Sequence, residues 1–311
     1  MKNSNQISFR NEWRNRWTVI KGFFRSPATE LCLWKDKYHV SEFYNNIAKI
    51  DPLVHDPNVP QWLNFGYWKE ETTFNAACAA LARKLGDVAE LRAKDRVLDV
   101  GFGFADQDML WAQEYNVESI TGLNITELHV KIAQNRVARA GLAEKIHLQV
   151  GSATEIPFLE NFFDKVMALE CAFHFNTRED FFSEAFRVLR PGGRIALADC
   201  LPRVGRKIDF WLKVNSKKIC IPFANQYDRY IYVEKLKKHG FVNIQAIPIS
   251  EYVWPAMVHY FDQVVHGTVR KQDFGIDLQK DNPGIEEWLK NYGWFIGLDD
   301  YLLFSAEKPG A

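Results

Sequence analysis

The sequence predicts an α/β protein in which buried parallel strands alternate with helices. Three observations point there. Val97, Leu98 and Val100 form a short apolar run, the pattern of a strand covered on both faces. Gly101 and Gly103 follow at once, and a helical pattern runs from Asp108 to Tyr115. Segments of these two kinds then alternate to residue 306, and 311 residues at 47% hydrophobic and 14% aromatic can bury a sizeable core.

The stretch from Asp95 to Asp106 organises the chain. Gly101 and Gly103 lack a Cβ, so the backbone can turn tightly and approach a ligand closely. The helix start beyond them points into the same cradle. The third glycine of the dinucleotide fingerprint is missing, with Asp106 in its place. Asp99 also ends the strand just before the turn, and a carboxylate there repels a pyrophosphate. A cationic or amino-bearing ligand suits the cradle better.

Asp99-Val100-Gly101-Phe102-Gly103-Phe104-Ala105 resembles the first motif of the class I S-adenosylmethionine-dependent methyltransferases, roughly Asp-x-Gly-x-Gly-x-Gly, with alanine in the last position. Arg187-Val188-Leu189-Arg190-Pro191-Gly192-Gly193 is a turn typical of the same family. Its proline and glycines serve geometry alone, so it marks the family and carries no chemistry. The resemblance covers residues 60–200 well and the rest in outline. It implies a Rossmann-like, doubly wound α/β domain. The sheet would have seven strands, mostly parallel with an antiparallel last strand, and the domain would add a helical N-terminal lid and two insertions.

In chain order, residues 73–91 read as a helix leading to the first strand. Ser119 to Thr126 is the second strand and its end. Glu127 to Ala140 is a helix closed by Gly141. Ile146–Val150 and Phe163–Leu169 are the third and fourth strands. A helix from Arg178 to Leu189 leads through the proline–glycine turn to the fifth strand, Arg194 to Asp199. Val233 to His239 is a helix closed by Gly240, Phe241 to Ile249 strand six, and Tyr301 to Ala306 the last. The aromatic stretches 202–230 and 250–297 are the insertions. The expected division is a lid over residues 1–70 and a methyltransferase domain over 71–311.

Composition narrows the classes. The formal net charge is zero, so nothing argues for nucleic acid as a partner. Cys32, Cys78, Cys171, Cys200 and Cys220 have no metal-ligand spacing, and their scatter suggests free thiols in a reducing compartment. No apolar run has the length of a membrane span. No apolar signal core opens the chain, so a cytoplasmic protein is expected. Phe9, Trp13, Trp17, Ile20 and Phe24 recur at helical spacing beside Arg10, Arg14, Lys21 and Arg25. Such a stripe can lie on an anionic membrane, but packing on the protein's own body is the favoured reading. The expected partner is a small-molecule substrate, with the chain as monomer or homodimer.

The resemblance also implies site residues. The donor S-adenosylmethionine would be held by Tyr67 in the element Asn64-Phe65-Gly66-Tyr67-Trp68, and by Asp99, Gly101, Phe102 and Gly103 around the methionine part. Asn124, followed by Ile125 at the same donor site, replaces the acid that usually holds the ribose, and an amide can still bond a hydroxyl. Ser152 and Ala153 stand where Asp-Ala usually meets the adenine. Glu170, His174 and Asp199 fall at strand carboxyl ends, where open α/β sheets bind ligands. In sugar O-methyltransferases of natural-product (secondary) metabolism a similar histidine, oriented by the aspartate, is the general base on a hydroxyl. Histidine's ordinary pKa suits that role, and the rate is then expected to rise with pH near neutrality. No metal is expected. A second reading is C-methylation of a prenyl, terpenoid or sterol-like alkene, with Glu170 and aromatic faces stabilising a carbocation. A third is a non-catalytic protein that binds the donor or a partner.

Overall fold

The computed structural model describes residues 40–50, 59–207, 216, 220–265, 298 and 300–310. The stripe from Phe9 to Phe24, the linker 51–58 and residues 266–297 lie outside the described residues.

Seven strands form one sheet. They are β1 (Arg96–Val100), β2 (Ser119–Asn124), β3 (Ile146–Val150), β4 (Phe163–Leu169), β5 (Leu189–Leu201), β6 (Val242–Pro248) and β7 (Asp300–Glu307). Their spatial order is β3-β2-β1-β4-β5-β7-β6. The first five run parallel to their neighbours, while β7 is antiparallel to both β5 and β6. The fold class is the one that the sequence implies. The chain winds outward from β1 to β3, then returns to β4 on the other side. That reversal opens a crevice at the carboxyl ends of β1 and β4, the place where doubly wound sheets bind ligands. The seven residues of β4 are all buried, as a strand covered on both faces requires.

The described helices are α1 (Val40–Ile50), α2 (Phe74–Ala89), α3 (Asp106–Glu114), α4 (Glu127–Arg139), α5 (Arg178–Val188), α6 (Arg229–Lys238) and α7 (Ser250–Val265). Their starts follow capping chemistry. Thr73 accepts from the Ala76 N–H at the head of α2, and Thr177 with Asp180 makes a capping box on α5. Three elements differ from the sequence reading. α3 begins at Asp106, because Ala105 itself takes the left-handed turn (φ 68°). β5 begins at Leu189, where that residue already pairs with Phe163 before the glycines. α6 begins at Arg229, because Asp228 accepts from the Tyr230 and Ile231 N–H groups. The second insertion opens with a helix, α7, that the sequence left unassigned.

One buried ion pair ties these parts together. Arg178 and Asp199 are both fully buried. Arg178 donates to Asp199 from Nε (2.8 Å) and Nη2 (3.1 Å), and to the carbonyls of Cys200 (3.0 Å) and Asn225. The Tyr232 hydroxyl donates to the same carboxylate (3.2 Å), and Tyr227 and Tyr232 flank the guanidinium. Removing one partner of such a pair strands the other charge in the interior. Arg178→Ala is therefore expected to lower the unfolding free energy by about 3–5 kcal/mol in urea titrations. Glu114→Ala, which breaks the half-exposed pair with Arg83, should cost less than about 1 kcal/mol. Equal costs for the two would contradict the ranking.

Candidate active site

A cavity of about 210 Å³ opens at the sheet's reversal point. Gly101 and Gly103 form its floor, Asn124, Ile125, Ser152 and Ala153 one side, and Glu170 and His174 the other. These residues, each singled out in the sequence, line the same cavity. Leu63 and Asn64 close it from the segment before α2, and Val40 and Tyr44 from α1.

The floor depends on missing side chains. Gly101 has φ +77°, and a Cβ there would sit 2.7 Å from both Cβ and Sγ of Cys171. Gly103 has φ +59°, and its Cβ would meet Leu63 at 3.2 Å. Both positions strain an L residue and narrow the cavity. Asn124 accepts the Thr126 N–H through Oδ1 (2.9 Å). Its Nδ2 donor, which an acid would lack, remains for a ligand beside the second lone pair of Oδ1. Ser152 shares its hydroxyl with Thr154 (2.9 Å).

Three expected donor contacts do not line the cavity. Asp99 lies beneath the floor, fully buried, with Oδ2 taken by Gln107 Nε2 (3.0 Å). Asp108 is buried beside it. Burial and the Asp99 charge push Asp108 above the usual carboxylate range. Phe102 points into the core, against the space a Cβ on Gly122 would fill. Tyr67 faces α7, with its ring 5.3 Å from Tyr252. The Phe65 and Tyr67 rings pack on α7 rather than over the cavity, while Asn64 of the same element lines it. Phe65 meets Trp254 at 5.5 Å, and the Trp68 N–H bonds the Tyr252 carbonyl.

Glu170 connects that element to the cavity. It follows β4 in a left-handed conformation (φ 52°), accepts the Phe65 N–H (2.7 Å) and accepts the Tyr301 hydroxyl. Burial outweighs both hydrogen bonds and pushes its pKa up to about 8.

His174 sits on a 3₁₀ turn, Ala172–His174. Asn225 holds the turn by donating to the Phe173 (3.1 Å) and Phe175 (2.6 Å) carbonyls. The expected pairing of His174 with Asp199 does not form, because Arg178, Tyr232 and the Cys200 N–H take that carboxylate. Nδ1 instead bonds the Cys220 carbonyl (3.2 Å) and Nε2 the Tyr44 hydroxyl (2.9 Å). A carbonyl only accepts, so Nδ1 carries the proton and Nε2 presents its lone pair. Burial pulls the ring's pKa down to about 4, not to neutrality as the sequence suggested. Sequence reasoning missed Tyr44, Gln107 and Asn225. Gln107 alone left a trace: Asp106, Gln107 and Asp108 are three polar residues in a helix's first turn beside the glycines.

A family model described as a methyltransferase domain matches residues 98–197. Erythromycin 3''-O-methyltransferase of Saccharopolyspora erythraea is 34% identical over 259 residues, 80% of this chain and 84% of that protein. The chain belongs to the S-adenosylmethionine-dependent methyltransferases. Solved structures share the methyltransferase's fold at low identity. The [4+2]-cyclase SpnF superposes with a TM-score of 0.70 at 19% identity, over 88% of this chain and 96% of that one. Geranyl diphosphate C-methyltransferase of Streptomyces coelicolor A3(2) gives 0.67 at 16% identity, over 91% and 99%.

The cavity fits the cationic donor of this family. Among the described residues no lysine or arginine lines it, and the glycine floor leaves room that any Cβ would take. Among the described residues no cluster of His, Cys, Asp or Glu is placed to hold a metal, and no helix is long and apolar enough to cross a membrane.

The Glu170 carboxyl gives a pH test of the site. Its folded pKa lies above the ordinary 4.5, so the folded chain holds a proton that the unfolded chain has lost between these values. Its contribution is complete below about pH 4.5 and fades as pH rises through about 8. Denaturation midpoints of Glu170→Gln should fall less than those of the parent over that window. Identical slopes would contradict a buried, proton-holding Glu170.

Proposed function

We propose that this methyltransferase transfers a methyl group to a hydroxyl of a hydrophobic or glycosylated small molecule, with His174 as general base. The N-terminal part to about residue 70 covers the site, and residues 71–311 make the catalytic domain. One observation carries the reading: His174 Nε2 is a lone-pair acceptor that already holds a hydroxyl at 2.9 Å inside the cavity.

S-adenosylmethionine, when bound, supplies an electrophilic methyl on a positively charged sulfur. Gly101 and Gly103 let the backbone approach its methionine part, while Asn124 and Ser152 face its nucleoside end. Asp99 supports the floor from below, with Gln107 between it and the cavity. Glu170 holds the Phe65 segment shut and keeps water from the transfer site. His174 then takes the acceptor proton as the oxygen attacks. Its ring is neutral at ordinary pH, which is the form that can accept. The cavity gains no net charge when His174 becomes protonated, since the sulfonium charge disappears in the same step. The name of the relative from Saccharopolyspora erythraea, an O-methyltransferase, supports oxygen as the nucleophile.

Gly103→Val should abolish binding of S-adenosylhomocysteine in calorimetry while the chain stays folded. Parent-like affinity in that variant would remove the donor from this cavity. His174→Ala should keep that affinity and lose about 10²–10⁴-fold in kcat, the usual worth of a positioned base. With 3''-O-demethylerythromycin as the first acceptor of a hydroxylated panel, the parent's kcat/KM should stay level between roughly pH 6 and 8 and fall only toward about pH 4. Full activity of His174→Ala, or a product whose new methyl lies on carbon, would overturn the O-methyl reading and favour Glu170 and alkene methylation.

A further inference from the structure

We propose that Tyr44 is a catalytic residue that relays the acceptor's proton to His174, so that helix α1 completes the base as well as covering it. The proposal rests on the reading of His174 as base. It starts from a count of lone pairs and protons. His174 has two ring nitrogens, and both are engaged: Nδ1 donates to the Cys220 carbonyl, and Nε2 accepts from Tyr44. An acceptor hydroxyl therefore reaches the base either by expelling Tyr44 or through it.

Expulsion meets resistance from two neighbours. The Tyr44 ring stands edge-on to His174 (5.5 Å, 89°) and edge-on to His129 (5.9 Å, 78°). His129 Nε2 also donates to the Tyr44 carbonyl (3.2 Å), and its ring lies 4.2 Å from Phe104 in the glycine turn. Tyr44, His129, His174 and Phe104 all line the same cavity. Tyr44 is thus fixed by residues that are themselves fixed to the floor. Burial keeps its phenol protonated far above the usual range, so Tyr44 can give a proton only when it receives one. Its oxygen donates to Nε2 and keeps lone pairs for an incoming O–H, which is the geometry of a relay.

The step balances. The acceptor oxygen forms its bond to the methyl carbon, and the carbon–sulfur bond breaks with its electron pair staying on sulfur. The acceptor's proton passes to Tyr44 Oη as the phenolic proton passes to His174 Nε2. Tyr44 ends as it began, and the positive charge that leaves sulfur appears on the imidazolium.

The first test needs no acceptor. In ¹⁵N-labelled full-length protein, Tyr44→Phe should shift the His174 Nε2 resonance toward that of an unbonded ring nitrogen and leave Nδ1 protonated. An unmoved Nε2 resonance would show that no hydrogen bond exists and overturn the relay. The second test uses S-adenosylmethionine and 3''-O-demethylerythromycin, or whichever member of the acceptor panel yields an ether. Tyr44→Phe should lose about 10²-fold in kcat with unchanged affinity for S-adenosylhomocysteine. Placed on top of His174→Ala, it should cost nothing further, because the two act as one chain. Replacement by 3,5-difluorotyrosine, which keeps ring and hydroxyl but acidifies the phenol, should retain turnover with an altered kcat. A purely structural tyrosine would leave kcat unmoved by fluorination. Undiminished kcat in Tyr44→Phe with an inactive His174→Ala overturns the relay and leaves the base standing. Full activity in both variants overturns the base reading itself.

Discussion

Arg178 is the constraint around which the site is built. A guanidinium with no exposure needs its charge matched and its donors satisfied. Asp199 supplies the charge, and the carbonyls of Cys200 and Asn225 take the remaining donors. The cost of burying this group fixes three elements at once: the start of α5, the end of β5 and the turn at 223–225. Asn225 passes the constraint on. Its Oδ1 accepts the Arg178 N–H, and its Nδ2 clamps the carbonyls on either side of His174. The histidine is thus oriented by an ion pair that it never touches. Asp199 serves His174 through structure, and the ring's tautomer comes from a backbone carbonyl instead.

A second buried pair does the same for the opposite wall. Arg136 on α4 grips Asp106 with two hydrogen bonds (2.6 and 2.7 Å) and also donates to the Phe104 and Val59 carbonyls. The Gln61 N–H bonds the same carboxylate (3.1 Å). The segment that covers the cavity is therefore anchored to the glycine turn at one point through Asp106 and to β4 at another through Glu170. The covering segment and the floor it covers share their supports.

The sheet was legible because its strands read either as buried apolar runs or, as in β3, as an apolar–polar alternation, and β3 and β4 match their predicted bounds. The floor was legible because a turn after such a strand needs Gly101 and Gly103. The wall at Asn124 and Ser152 followed from the family's pattern of strand ends. What stayed hidden was everything that depends on long-range partners. Tyr44 lies 130 positions from His174, and the Cys220 carbonyl, being backbone, leaves no mark in the sequence. Asp199 looked like the partner of His174 because both stand at neighbouring strand ends. Arginine is rarely fully buried, so no pattern in the sequence announces that Arg178 stands between them. Tyr67 and Phe102 were expected at the donor because the family's aromatic element and glycine motif place residues there, but their rings pack on α7 and in the core.

The most direct measurement is a crystal structure of the full chain with S-adenosylhomocysteine. The expected result places the amino-acid part over Gly101 and Gly103, the ribose at Asn124 Nδ2, and the sulfur facing the wall formed by His174 and Tyr44. A sulfur turned away from that wall, or a ligand bound outside this cavity, would contradict the assignment of His174 to the transfer.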